Sequence, residues 1–237
     1  NDGLDIYGTI ARVEDLTILR GDSPAMYIGS GSSADAAVEL SGVTLSESDT
    51  GLLVADGNFG GNRAEVEDSV FTDNLNGVIV NSDSYARVTR SSFENNDTGA
   101  FVQYGKLVIT DSLFANNDNN GVFQAESEVT IINTTLAGNE QAVDMYDGDL
   151  FMAQVTIADN EFGIEVGAFN MDADLTVYNS VVTGSSGVDC EVEEDFSYTV
   201  NVRIEHSLIE DTGADACGLA AGNPDANGNV VGQPGLI

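Results

Sequence analysis

A single apolar position recurs along this chain. It falls at Ile18, Leu45, Phe71, Phe93, Phe114, Leu136, Ile157, Val182 and Ile209, at spacings of 27, 26, 22, 21, 22, 21, 25 and 27 residues. Other columns keep step with it. Three positions later stand Asn74, Asn96, Asn117, Asn139 and Asn160, and six or seven positions later Gly51, Gly77, Gly99, Gly121 and Gly163. Two positions earlier come Ser69, Ser91, Ser112, Thr134, Ser180 and Ser207. A period of this length fits leucine-rich repeats, helical arrays or a parallel β-helix, so the pattern inside each unit decides. Segments such as Val129–Leu136 are β-branched and alternate in steps of two. No unit carries ten residues with apolar side chains at helical spacing, and the leucine-rich consensus is missing. Each unit therefore reads as two or three short strands that coil once and pair in parallel with their equivalents one unit away. The expected fold is all-β: a parallel β-helix of about nine rungs.

The Asn column fits that geometry. Amides stacked every ~4.8 Å can hydrogen-bond one another along the coil. Asn also tolerates the left-handed backbone that sharp bends require. Asn74, Asn96, Asn117, Asn139 and Asn160 are thus expected to form a structural ladder rather than a functional polar row.

The unit hydrophobe-x-hydrophobe-x-x-Ser-x-Phe-x-x-Asn-x-x-Gly-hydrophobe, clearest at Val66–Val78 and Val88–Ala100, resembles the right-handed β-helix repeats of pectin-lyase-like proteins. The resemblance covers about residues 10 to 215. It implies the fold and leaves the activity open, because that scaffold hosts lyases, hydrolases, epimerases, adhesins, phage fibres and inert surface proteins. The tail, from Asn179 and Asp189–Cys190 through Ser207–Asp211 to Cys217 and Gly228–Pro234, resembles the closing segment of secreted bacterial β-helix proteins that carry a surface-anchoring region. That likeness implies a piece of a longer exported protein. The expected organisation is one domain over 1–237, with an irregular first rung at about 11–37, regular rungs over 38–174 and a stapled end over 175–237.

Charge narrows the partners. Forty Asp and Glu against seven Lys and Arg give a formal charge of -33. Such a field repels nucleic-acid phosphates and anionic headgroups, which excludes direct nucleic-acid binding. No stretch approaches eighteen uninterrupted apolar residues, so direct membrane insertion is not expected. A lone lysine, Lys106, among forty acids suits a marine or salt-adapted protein. Cys190 and Cys217 each lie eight residues after their own anchors, Val182 and Ile209. Strand stacking would bring their Cα atoms within disulfide range, and a disulfide there points to an oxidising, extracellular or cell-surface location.

Chemistry-bearing residues are sparse. Alternation after the repeat glycine places Leu53, Ile79, Phe101, Phe123, Asp144 and Glu165 in one outward column, and Asn81, Gln103, Ala125, Tyr146 and Gly167 in the next. Asp144 and Glu165 would be neighbours, close enough for one carboxyl pKa to rise, and form the candidate catalytic pair. Leu53, Ile79, Phe101 and Phe123, continued by Tyr146, form an exposed apolar stripe, the candidate interaction surface. Three covers compete for it: the segment Gly57–Arg63 of this chain, another protein or subunit, or sugar rings on Phe123 and Tyr146. No cofactor is expected. Calcium is possible at Asp144, Asp147 and Asp149, although these fit no EF-hand or nonapeptide pattern. His206 falls in a polar bend column with Asp68, Arg90, Asp111, Asn133, Gln154 and Asn179, which reads as side-chain laddering rather than metal binding. The expected function is that of a secreted or cell-surface, non-catalytic protein acting in self-assembly, adhesion or glycan contact, with itself, another surface protein or a glycan as partner. Filament growth from open coil ends is compatible with this. The alternative is a polysaccharide lyase or glycoside hydrolase of the pectin-lyase-like group.

Overall fold

The computed structural model describes residues 3–21, 24–31, 34–55, 61–194, 197–211, 216–219 and 226–232. All regular structure among them is strand, and every strand pairing is parallel. Among the described residues no helix is long and apolar enough to cross a membrane. The strands build a solenoid with three strand positions per coil. In one middle coil these are Thr98–Gln103, Lys106–Thr110 and Leu113–Ala115. The first two positions belong to one sixteen-stranded sheet, because Asn120–Ile132 and Gln141–Ala153 run through the bend between them; the third position forms a ten-stranded sheet.

The recurring anchor sets the register. Ile18, Leu45, Phe71, Phe93, Phe114, Leu136, Ile157, Val182 and Ile209 pair successively across the ten-stranded sheet. Val231 extends the row by one further strand that the repeat pattern had not marked. The first described pairing in the chain joins Leu4 to Met26. The anchors point inward: Phe71, Phe93 and Phe114 are fully buried and stack with centroids 4.5 Å apart and planes within 3° of parallel. Gly99 has to be glycine because a Cβ there would stand 2.6 Å from the Gly121 carbonyl oxygen and 2.7 Å from the Phe114 ring.

The Asn ladder forms. Each Nδ2 donates to the Oδ1 of the next Asn, at 3.1 Å from Asn74 to Asn96, 3.1 Å from Asn96 to Asn117, 2.7 Å from Asn117 to Asn139 and 2.9 Å from Asn139 to Asn160. Each Nδ2 also donates to an anchor carbonyl, as Asn117 does to Phe93 at 3.2 Å. The left-handed residues, however, are not the ladder Asn but those one position earlier: Asp73, Asn95, Asn116, Gly138 and Asp159 all have φ between 54° and 69°. The reason is geometric. The preceding residue makes the bend, which turns the following Asn inward, where its amide has to be satisfied by its stacked neighbours. A second left-handed column occupies the bend three residues before each anchor, from Asp68 and Arg90 to Asn179 and His206.

A hydroxyl ladder runs parallel to the Asn ladder. Ser69, Ser91, Ser112 and Ser180 each donate Oγ–H to the carbonyl two residues earlier and accept the backbone N–H of the coil below. At the C-terminal end Asn229 takes over the acceptor role toward Ser207 at 3.1 Å.

Cys190 and Cys217 form a disulfide with Cα atoms 5.0 Å apart. Their equivalence is offset by one residue, since Cys190 is the ladder partner of Ala216, not of Cys217. Cys217 adopts a left-handed φ of 50° and donates its backbone N–H to the Cys190 carbonyl at 3.0 Å. A bond closing 27 residues restricts the unfolded chain by about 3 kcal/mol. Cys217→Ser is expected to lower the melting temperature by roughly 5–10 °C, and reductant should lower the wild type, but not this variant, by the same amount in a thermal scan.

All seven cations are spent on surface ion pairs: Arg12, Arg20, Arg63, Arg87, Arg90, Lys106 and Arg203 each contact at least one Glu or Asp. Exposed pairs of this kind contribute at most ~1 kcal/mol each. They leave the excess of carboxylates unneutralised.

Candidate functional site

The outward face of the first strand position carries the side chains of interest. Backbone pairing aligns Tyr27, Leu53, Ile79, Phe101, Phe123, Asp144, Glu165 and Glu191 in one column. Beside it run Asn81, Gln103, Ala125, Tyr146, Gly167 and Glu193. Alternation within each strand explains the aim: Val143 and Met145 are buried inward, so Asp144 and Tyr146 face out.

The apolar stripe is less open than its spacing suggests. Leu53, Ile79, Phe101, Phe123 and Tyr146 are half-buried, not exposed, because each large side chain lies against its neighbour one coil away. Phe101 and Phe123 stack at 5.0 Å with planes 13° apart, and Tyr146 meets Phe123 edge-on at 5.8 Å. Phe169, in the turn after Phe162–Ala168, completes the row at 5.4 Å from Tyr146 and is 38% exposed. Sequence periodicity missed Phe169 because it belongs to a turn and to no column. Residues 57–60 of the segment considered as a cover lie outside the described residues.

Asp144 and Glu165 are brought together as direct register partners. Their environments differ. Glu165 accepts from Gln141 Nε2 at 2.9 Å and from the Tyr146 hydroxyl at 3.4 Å. Asp144 is only 7% exposed, and its Oδ1 is buried without a hydrogen-bond partner among the described residues. Burial pushes the Asp144 carboxyl up to about 7; the Glu165 charge and, more weakly, that of Glu193 add to the rise, while the Tyr146 hydroxyl works against it. The Tyr146 phenol is likewise raised, first by burial and then by the charges of Asp144 and Glu165.

The three calcium candidates do not converge. Asp147 is buried at 1% and turned inward, where it accepts the backbone N–H groups of Phe169 at 2.7 Å, Asn170 at 3.1 Å and Met171 at 3.3 Å. Its role is to fix the turn that carries Phe169. Asp149 lies on the second strand position, between Glu128 and Asp174. Its carboxyl is raised by burial and by those two charges. Among the described residues no group of three or more His, Cys, Asp or Glu gathers to hold a metal ion. An open groove of about 520 Å³ lies at the adjoining bend, lined in part by Tyr85, Tyr104, Lys106, Glu128 and Asp149. Lys106 is already paired there with Glu128.

A three-stranded coil with inward ladders and one ringed, acid-bearing outer face defines a parallel β-solenoid. The chain belongs to the family described as "Right handed beta helix region", which it matches over residues 8–182. A comparison with curated proteins found no match. Among solved structures, the chain is similar to the "Crystal structure of pectate lyase Pel9A", with 13% identity, a TM-score of 0.44 and coverage of 85% of this chain and 70% of that one.

Proposed function

We propose that this protein is an extracellular β-helix protein that contacts glycans through the row Phe101, Phe123, Tyr146 and Phe169. The observation that carries this reading is the row itself: four adjoining rings, continued on one side by Ile79 and Leu53 and bounded on the other by Asp144 and Glu165. Strand spacing advances the surface by ~4.8 Å per coil, close to one hexopyranose unit of an extended polysaccharide. Ring faces also match the apolar faces of sugars, and half-burial of each ring limits the rotamer entropy lost on binding. The disulfide is compatible with an extracellular site. Adhesion or self-association through the same face would use the same rings.

Affinity electrophoresis against a panel of soluble polysaccharides tests the proposal. Retardation by at least one polysaccharide is expected, with a loss of roughly tenfold or more on Phe123→Ala, on the scale of a buried contact side chain. Phe151→Ala, on the second strand position, should change nothing. Unaltered migration on every polysaccharide would overturn the reading.

One observation favours a second reading. A carboxyl held near pH 7 beside a neighbouring carboxylate is the pairing a glycoside hydrolase needs, with Asp144 as acid and Glu165 as base. Reducing-end release that disappears in Asp144→Asn would establish cleavage, and its absence on all retained polysaccharides would leave binding alone.

A further inference from the structure

The acid-bearing end of the ring row has a charge problem that none of the described residues solves. Asp144, Glu165 and Glu191 are consecutive in one column, and Glu193 stands beside them in the next. Every Lys and Arg is engaged with other acids. Asp144 is more than nine-tenths buried, and its Oδ1 has no partner among the described residues. An inert surface would disperse like charges or bury a neutral residue at this point, because an unpaired buried carboxyl is unfavourable. Phe123 is the register partner of Asp144, and Tyr146 and Phe169, with centroids 5.4 Å apart, continue the rings along the same end of the face.

Carboxylates beside aromatic faces are the chemistry that holds an organic ammonium group: the charge pairs with the acids and the ring quadrupoles add to the attraction. A metal ion fits less well, because no three carboxyls converge among the described residues. We propose that the end of the row formed by Phe123, Asp144, Tyr146, Glu165 and Phe169 takes an amine-bearing sugar, one unit of a glucosamine-type glycan. The ammonium sits toward Asp144 and Glu165, and the pyranose face lies on the rings. The overall charge of -33 would steer such a polycation toward the solenoid. This inference rests on the glycan-contact reading and adds the ligand class to it.

Isothermal titration at about pH 6, where the sugar amines are protonated and a bound ammonium draws the Asp144 carboxyl into its charged form with release of its proton, tests it with glucosamine, N-acetylglucosamine and glucose oligosaccharides of equal length. The glucosamine oligomer is expected to bind at least ~10-fold tighter than either neutral one. That preference should shrink severalfold between ~0.05 M and ~0.5 M salt. Asp144→Asn and Glu165→Gln should each erase most of the preference while leaving the weaker neutral binding in place, whereas Phe123→Ala should weaken all three. Equal binding of the three oligomers, or a preference untouched by Asp144→Asn and Glu165→Gln, would overturn the amine assignment and leave the glycan reading standing. An oligolysine of equal charge binding as tightly would also overturn it, by showing attraction without sugar recognition. Failure of every oligosaccharide, together with unaltered electrophoresis, would sink both.

Discussion

Asn117→Ala should destabilise the protein by about 4 kcal/mol and lower its melting temperature by roughly 10 °C, although the side chain is small and remote from the ringed face. The reason lies in what Asn117 holds. Its Oδ1 accepts the Asn96 backbone N–H at 3.1 Å and the Asn96 amide at 3.1 Å. Its own amide donates to the Phe93 carbonyl and to Asn139. Asn117 is 1% exposed, so water cannot replace these bonds without entering the coil. Each buried group left unmade costs about 1–3 kcal/mol. The Asn96 N–H loses its acceptor outright, whereas Phe93 and Asn139 lose one of their donors. Asn116 provides an internal control one residue away. It is exposed and holds the left-handed bend, so Asn116→Ala should cost only about 1 kcal/mol of backbone strain. A melting difference between the two variants of less than a few degrees would contradict the assignment of the ladder as a principal stabiliser. Because a solenoid is stabilised coil by coil, the loss should also appear locally, as faster amide exchange at Asn96 and Asn117 than at Asn160.

The same pair of residues shows what the sequence makes legible and what it does not. A column of identical amides at a fixed phase can be read directly, since only stacking gives them a common partner. Strand alternation then sets every facing residue, which is why the Phe101–Phe123–Asp144–Glu165 alignment follows from spacing alone. Turns obey no such rule. The left-handed residue falls one position before the ladder Asn, the disulfide partner one position past its ladder equivalent, and Phe169 reaches the row from outside the strands. The Ser column was visible as a pattern, but its bonds depend on a carbonyl two residues back, which identity alone does not reveal. Burial was the other hidden quantity. Asp144 looks like one acid among forty, and only the packing around it makes it unlike the rest.

That packing should make stability fall as the pH rises from about 4 to about 7. In the folded protein the Asp144 carboxyl is raised to about 7, from 3.8 for a free side chain, first by burial and then by Glu165. Between those values the folded state binds a proton that the unfolded chain does not, so the free energy of unfolding decreases with pH. The contribution is complete below about pH 4 and gone above about pH 7. A difference of about three pKa units sets an upper bound of about 4 kcal/mol, which solvent reaching the carboxyl reduces. Other carboxylates add their own repulsion over the same range, so the comparison has to be with Asp144→Asn. That variant has nothing to protonate at this position. It should melt well above the wild type at pH 8, by roughly 8–16 °C at full effect, and within a few degrees of it at about pH 4. Glu165→Gln should move the wild-type curve only partway, since it removes the second-ranked cause and leaves the burial. Parallel melting curves for wild type and Asp144→Asn across the whole range would show that Asp144 is ionised and solvated in the folded protein. The converse result would mean that the chain maintains, at a net cost in stability at neutral pH, a buried acid that a hydrophobic residue could replace. A buried acid of that kind beside a row of rings is what the proposed binding site requires.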